Sequence, residues 1–148
     1  MKGNVRGMEN KKKKGMSQSA YSAILKKIEI ESIVLLELEA KRYPAPVEKK
    51  LGFHIQHEPE FVKGEDRDFD IVDLYTITAR SGRKNIFKIR IKWLLRFSSE
   101  VDVTEEFFTI YAERSLILNT YPYVREMVQS ITSKMDVPPL VMPLYKIK

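Results

Sequence analysis

The sequence predicts an α+β domain, in which a four-stranded antiparallel sheet is followed by a long helix packed on one face. Between residues 28 and 97, apolar and polar residues alternate along four segments, separated by clusters of proline, glycine and charged residues. After residue 104, apolar residues recur at spacings of three and four. Alternation is typical of half-buried strands, and the wider spacing is typical of an amphipathic helix. Strands that precede a helix, instead of alternating with helices, favour an antiparallel sheet.

The first strand is predicted from Ile28 to Arg42, while a helix over the preceding Ser17 to Lys27 stays open. Its two parities predict one buried and one solvated face. Ser32 interrupts the apolar row, which indicates a β-bulge. The two rows are Ile28, Ile30, Val34, Leu36, Leu38 and Ala40 against Glu29, Glu31, Ile33, Leu35, Glu37 and Glu39.

Two shorter strands are predicted next. Tyr43-Pro-Ala-Pro46 ends the first strand because proline cannot donate to a ladder, so residues 43–51 are predicted to be a loop. A second strand runs from Gly52 to Glu58, and Pro59 either ends it or marks it as an edge. The third strand runs from Phe69 to Arg80 and leads into a hairpin turn at 81–84.

The fourth strand sets the predicted strand order. Its outward row is basic, and opposite charges on neighbouring strands stabilise a sheet by ~0.2–1 kcal/mol per pair. The first strand, with its glutamates, is therefore predicted to lie beside the fourth, in the order 2-3-4-1. The basic row is Lys88, Arg90, Lys92 and Arg96, and an outward apolar strip is expected from Val72, Leu74, Leu94, Ile33 and Leu35.

The helix is predicted to begin at Asp102 or Thr104, either of which can cap it. Pro122 lacks an N–H and is expected to kink the helix or to restart it as a first-turn residue. The apolar stripe continues to Met135, and Val137-Pro-Pro is expected to end the helix.

The composition limits the classes of protein to which this chain can belong. The 148 residues suit one domain, and 43% hydrophobic residues are typical of a globular chain. The chain contains no cysteine, which excludes disulfides and thiol nucleophiles and fits a cytoplasmic location. No apolar run is long enough to span a membrane, and no apolar stretch of a signal peptide follows the N-terminus.

The net charge of +6 is concentrated at the N-terminus, where Lys2, Arg6 and the run Lys11 to Lys14 face one acid, Glu9. We expect residues 1–19 to be a basic disordered tail and residues 20–148 to be the folded domain. The alternative interpretation makes the tail an arm for nucleic acid or anionic lipid.

Catalytic chemistry is not predicted, so the chain is expected to be a binding protein and not an enzyme. His54 and His57 are the only histidines. They are expected to be solvated on an edge strand, and a metal site with Glu58 and Glu60 is the weaker alternative. No metal or cofactor is therefore predicted. Trp93, Phe87 and Phe97 could stack nucleic-acid bases. They belong, however, to the apolar row of the fourth strand and are predicted to lie in the core.

The C-terminal third resembles the SecB family of export chaperones. Tyr121-Pro-Tyr-Val-Arg-Glu126 resembles that family's aromatic-Pro-Tyr-Ala-Arg-Glu signature. Val137-Pro-Pro-Leu-Val-Met-Pro143 resembles its later Phe-Pro-x-Leu-x-Leu-x-Pro segment, and residues 69–79 resemble its third strand. The resemblance implies structural roles for the motif positions Tyr121, Pro122, Tyr123, Arg125, Glu126, Pro138, Leu140 and Pro143.

The resemblance also implies an activity and an assembly. Members hold unfolded polypeptides or preproteins without ATP, as cytoplasmic homotetramers built as dimers of dimers. Their substrates lie in apolar grooves beside the loop between the first two strands. In this chain the substrate-binding candidates are Tyr43, Pro44, Val47, Leu51 and Phe53, together with Val141, Met142, Leu144 and Tyr145 from the C-terminal segment.

Three departures from the family's pattern qualify the resemblance. The family docks an export motor through acidic residues on its sheet, which this basic chain does not fit. A second helix follows the proline-rich segment in the family and is expected to be missing here. Lys92-Trp93 replaces a glycine pair often found in the fourth strand. The client class therefore stays open and includes antitoxins, which some SecB-like proteins guard.

Two other classes stay open. One is a nucleic-acid-binding domain that uses the basic row of the fourth strand and the tail. The other is an interaction module for one folded partner.

Overall fold

The chain folds into one sheet of four strands with helices on one of its faces. The structure, a computed structural model, describes residues 15–138 and Met142. Helix α1 (Gln18–Leu25) precedes four strands, β1 (Ile28–Arg42), β2 (Leu51–Lys63), β3 (Phe69–Ser81) and β4 (Lys84–Ser99). Helices α2 (Glu105–Tyr111) and α3 (Ile117–Thr132) follow, joined by the π-helical turn Ala112–Leu116. The predicted α+β class is confirmed.

All strand pairs are antiparallel, and the strand order is β1-β4-β3-β2. The predicted order 2-3-4-1 is therefore confirmed. The opposite charges that predicted it do meet across β1 and β4, where Arg90 Nη1 lies 3.5 Å from Glu39 Oε2. Lys92 Nζ likewise lies 3.4 Å from Glu37 Oε2. These groups are partly exposed, so each pair contributes at most about 1 kcal/mol and specifies the neighbour more than it stabilises the fold.

The predicted faces of β1 are wrong in its middle, because the strand contains two bulges. Register shifts lie between Ile30 and Ser32, as predicted, and again between Leu35 and Glu37. Each bulge adds one residue and so moves the following side chains to the other face. Leu35 therefore lies opposite the buried Trp93, and Ile33 lies opposite the buried Leu95. Val34, opposite Leu94, takes their place on the outward face.

Strand β2 is longer than predicted, since it continues through Pro59 to Lys63. It forms the second edge of the sheet, where a proline costs no ladder hydrogen bond if its position faces away from the neighbouring strand. Pro59 thus marks an edge strand and does not end it.

The helical region differs from the prediction at both its middle and its end. Thr104, and not Asp102, caps α2, because its side-chain oxygen accepts from the Phe107 N–H at 3.2 Å. Pro122 lies inside α3 and not in its first turn, and the π-helical turn lies immediately before α3. Helix α3 ends at Thr132, before the expected Val137, and Asp136 follows in a turn with a φ of 52°.

The core lies between the helices and the alternate residues of β3 and β4. Phe69 and Phe97 stack across these strands with ring centroids 4.6 Å apart, and Tyr111 meets Phe97 edge-on at 5.7 Å. Trp93, Phe87 and Phe97 are buried here, as predicted. They are therefore not available to stack nucleic-acid bases.

Helix α1 belongs to the same core. The ring of Tyr21 stacks on Phe107 at 5.1 Å, and its hydroxyl lies 2.8 Å from the hydroxyl oxygen of Ser115. The open question over residues 17–27 is thus answered by a helix that Ser17 caps. Among the described residues, no helix is long and apolar enough to cross a membrane.

Thr104→Ala tests the cap that starts the long helical region. Removing this acceptor should lower the free energy of unfolding by about 1 kcal/mol. Thr109→Ala is the matched control, because Thr109 lies five positions further on and only donates back to the Glu105 carbonyl at 3.0 Å. The control should change stability by less than about 0.5 kcal/mol. Urea unfolding checks both, and equal effects would contradict the capping role.

Candidate functional site

An apolar surface is left open along β1, the first edge of the sheet. Five large apolar side chains there are 40–51% exposed. Leu35 lies directly across from Trp93, whose ring meets Tyr123 of α3 at 5.9 Å. The group therefore joins the edge strand to the helix. We call it the β1 edge surface, and it wraps around the edge strand. It consists of Leu35, Leu38 and Tyr123 on the helix side, Val34 on the outward side and Leu36 at the bulge.

An open apolar edge strand such as this one is unusual in a protein that acts as a monomer. The outer backbone groups of a 15-residue edge strand have no partner within the sheet. Natural proteins blunt such edges with charges, prolines or short strands, because an open apolar edge recruits other chains. Between Ile33 and Leu36 the middle of β1 has neither a charge nor a proline, and the bulge at Leu36 is its one protection. An open apolar edge of this kind favours contact with another polypeptide.

The candidate residues of the loop between β1 and β2 lie at the end of the sheet where β1 ends, next to the turn between β3 and β4. Arg42 holds this loop, because Nε donates to the Met135 carbonyl at 2.9 Å and Nη1 donates to the Ala45 carbonyl at 2.9 Å. The Ser81 hydroxyl closes its other end with bonds of 2.8 and 3.0 Å to the Lys49 N–H and carbonyl. The loop is thus fixed to both α3 and β3.

Within this loop region the predicted substrate residues differ in exposure. Tyr43, Val47 and Leu51 are half-buried, and Pro44 is exposed. Phe53 is 38% exposed on β2 and faces the helix layer, since it lies opposite the buried Ala79. Of the C-terminal candidates, Met142 is 1% exposed in the core, so its side chain is not open to a ligand here. Val141, Leu144 and Tyr145 lie outside the described residues.

The motif residues of α3 divide between core and surface. Tyr121 is buried, and this burial raises the pKa of its hydroxyl, although the nearby Arg125 charge acts in the opposite direction. Arg125 is half-buried, while Pro122, Glu126 and Pro138 are exposed. Tyr123 is half exposed, so it contributes to a surface as well as to packing. Leu140 and Pro143 lie outside the described residues, and the structural roles of the motif stay predictions.

A buried polar pair links β2 to the layer beneath the helix. Asp73 is 0% exposed on the helix-facing side of β3, and its Oδ1 contacts His57 Nε2. The His57 ring stacks on Tyr75 at 4.4 Å, and the Tyr75 hydroxyl lies 2.7 Å from Thr120 Oγ1 of α3. The prediction of two solvated histidines is therefore wrong for His57. Only the buried partner Asp73, whose burial the sequence does not show, would have revealed this connection.

His57→Ala tests the polar pair. It leaves the Asp73 carboxylate buried without its partner, which should cost about 3 kcal/mol of unfolding free energy. His54→Ala is the matched control on the same strand, because His54 is exposed on the opposite face. It should cost less than about 0.5 kcal/mol. Chemical denaturation measures both, and a His57 variant as stable as the His54 variant would show that the pair contributes nothing.

Metal and nucleic-acid sites find less support in the geometry. In residues 15–138 and Met142, no group of three or more His, Asp or Glu side chains could hold a metal ion. Arg90 and Lys92 of the basic row are paired with Glu37 and Glu39. Half of the basic row that a nucleic acid would use is therefore already neutralised.

The fold matches that of a SecB-like chaperone from Mycobacterium tuberculosis, solved in complex with a peptide from an antitoxin. The match has a TM-score of 0.76 at 23% identity and covers 86% of this chain and 98% of that one. A protein of unknown function from Streptococcus agalactiae aligns with a TM-score of 0.47 at 13% identity, covering 80% of this chain and 98% of that one. So distant a likeness carries no argument about this chain. No protein-family model matches, and no curated protein is similar in sequence. The chain has a SecB-like fold.

Proposed function

We propose that this protein is an ATP-independent chaperone that binds unfolded or non-native polypeptides and catalyses no reaction. The observation that carries the proposal is the apolar surface that a SecB-like fold leaves open here beside the loop after β1, where Phe53 is 38% exposed. Apolar surface presented on a rigid frame can bind many sequences, because hydrophobic contact needs no particular side chain. The peptide-bound state of the M. tuberculosis neighbour is consistent with this mode of action.

The client-binding surface that we propose is the loop after β1 with the start of β2. It comprises Tyr43, Pro44, Val47, Leu51 and Phe53. The loop is held by the Arg42 and Ser81 hydrogen bonds, so little conformational entropy is lost when a client binds. Phe53 contributes a partly exposed aromatic ring, the type of side chain that most often anchors a bound polypeptide.

Phe53→Asp tests this surface. A charge at the centre of an apolar contact should raise the amount of protein needed to suppress aggregation of an unfolded model client by about tenfold. Val62→Asp is the matched control, because Val62 lies on the same edge strand at 41% exposure but on the opposite face. The Val62→Asp control should suppress aggregation of the client as well as the wild-type protein does. Equal activity of wild type and both variants would remove this surface from client binding.

The assembly that we propose is a homo-oligomer, with a dimer of dimers as the family expectation. Its subunits meet through the β1 edge surface, because two copies of one edge strand can pair about a two-fold axis. Such pairing satisfies the free backbone groups of β1 and covers its exposed leucines in one step. The client surface at the start of β2 lies on the other edge and stays accessible.

Leu36→Asp tests the assembly. Leu36 is the extra residue of the second bulge and has no partner on β4, so the substitution should leave the fold intact. It should split the assembly into smaller units, because an uncompensated charge would be buried at the interface. Light scattering coupled to size exclusion measures the mass, with Val62→Asp again as control. An unchanged mass in a folded Leu36 variant would rule out this interface.

Export, general holding and antitoxin protection are equally open as pathways, and the cytoplasmic location stays a prediction. An interaction module for one folded partner is the second candidate function. It would bind that partner tightly and fail to suppress aggregation of an unrelated unfolded client.

A further inference from the structure

The charges of the sheet are divided unevenly between its two ends. At the end that holds the β3–β4 turn, seven exposed cations and one acid, Glu48, gather on β1, β3, β4, the turn and the loop before β2. The opposite end, around residues 26–27, 63–68 and 98–102, carries five acids with four cations. We call the seven cations the basic end, which consists of Lys41, Lys49, Lys50, Arg80, Arg83, Lys84 and Lys88.

No carboxylate of the described residues forms an ion pair with these cations. Across residues 15–138, the carboxylates form ion pairs with Lys27, His57, Arg67, Arg90 and Lys92, and with none of the basic end. Lys41 and Lys88 even lie directly opposite each other on β1 and β4. Like charges in that position destabilise a sheet, whereas the neighbouring rows pair glutamates with Arg90 and Lys92. An anionic partner would relieve this repulsion.

A cleft opens within the basic end on the outward face of β2 and β3. It has a volume of about 400 Å³. A side chain added at Gly52 would meet nothing within 4 Å, so the missing side chain leaves a notch in the strand. Arg80 Nη2 donates to the Arg83 carbonyl at 3.3 Å, which holds the guanidinium beside the turn. Donors therefore converge on an open space large enough for a carboxylate side chain. The lining consists of Lys50, Gly52, Phe53, His54, Thr78, Arg80 and Gly82.

The edge position of β2 favours a polypeptide over a nucleic acid. Between Leu51 and Glu58 the outer backbone groups of β2 have no strand beside them in the sheet. Only another polypeptide can add main-chain hydrogen bonds along such an edge. Phe53 projects to the helix-facing side of the same stretch, so a bound chain would meet an apolar side chain and cations together.

We propose that the basic end selects acidic clients: extended polypeptide segments whose apolar residues are flanked by Asp or Glu. This inference rests on the proposed client surface and adds its substrate class. The apolar residues of the segment contact Phe53 and the loop, and its carboxylates lie beside Gly52 and against Lys50 and Arg80, which line the cleft. The attraction between exposed charges is screened by salt, so the preference is strongest at low ionic strength.

The test measures binding of three fluorescein-labelled peptides to the full chain by anisotropy. The peptides are about twelve residues long, share one apolar centre, and carry Glu, Gln or Lys flanks. We expect the Glu peptide to bind on the order of tenfold more tightly than the Gln peptide at low salt, with the difference shrinking at high salt. Equal binding of the Glu and Gln peptides overturns the acidic preference but leaves the proposed function intact. Failure of all three to bind, together with no aggregation suppression, overturns the proposed function itself.

Two charge-matched variants locate the effect. Lys50→Glu with Arg80→Glu should abolish the preference for the Glu peptide while retaining binding of the Gln peptide. Lys26→Glu with Lys63→Glu makes the same change in net charge away from the basic end and should keep the preference. Loss of the preference in both variants would mean that net charge, including the N-terminal lysines, causes it, and would overturn the assignment.

Gly52→Val and a competitor complete the test. Valine suits a strand and has open space at this position, so the variant should fold, fill the notch and selectively weaken binding of the Glu peptide.

A random-sequence DNA duplex of about twenty base pairs is the competitor. A duplex that displaces the Glu peptide at a lower concentration than unlabelled Glu peptide does would assign the basic end to nucleic acid and overturn the proposal.

Discussion

The rest of the structure depends on a mismatch of widths: one helical layer is narrower than the sheet it covers. A helix with its side chains is about 10 Å wide, whereas the outer strands of a four-stranded sheet are about 14 Å apart at their backbones. The helices bury the inner strands, where Ile89, Ile91 and Leu95 are 0% exposed. On β1 the side chains opposite this row, such as Leu35 and Leu38, remain at least 40% exposed. Within the described residues, the helical layer therefore leaves apolar side chains of β1 uncovered.

The open apolar surface and the fixed loop then follow from one arrangement. Helix α3 ends near the loop that follows β1, and Arg42 ties the turn after α3 to that loop through the Met135 and Ala45 carbonyls. Strand β1 thus presents an open edge of 15 residues with exposed leucines, while β2 presents an open edge of 13 residues that begins beside the anchored loop. Charge is also distributed unevenly over the sheet. Ion pairs neutralise the middle of its outward face, whereas the cations near the β3–β4 turn form no such pairs with the described carboxylates.

The sequence predicts the parts of this fold that repeat a simple pattern. Buried and outward residues alternate without interruption from Phe69 to Ala79 in β3 and from Phe87 to Phe97 in β4. The two charged rows were sufficient to place β1 beside β4. The sequence-based predictions were wrong where a single residue changes the pattern. Leu36 is apolar like its neighbours, so nothing marks it as the extra residue of a bulge, yet it determines which leucines face the helix. Pro59 has the same signature whether it ends a strand or lies within an edge.

The candidate site was less predictable than the fold for a related reason. Exposure of an apolar residue is decided by what covers it, and the sequence of β1 does not state that the helix stops short of that strand. His57 likewise resembles a surface histidine until Asp73 is known to be buried beside it. The basic end was missed because its seven cations are spread over residues 41–88 and converge only when the strands pair.

The central claim is that the fold leaves β1 open and a second copy covers it. Hydrogen exchange of the wild-type protein, resolved by residue, tests this most directly, because amides exchange slowly only when they are hydrogen-bonded. Alternate amides of β1 point away from β4 and have no partner strand in the described sheet, as do alternate amides of β2 that point away from β3. The account predicts that the outer β1 amides are protected and that the outer β2 amides exchange fast without a client. Fast exchange at both edges, in a protein of monomeric mass, would contradict it.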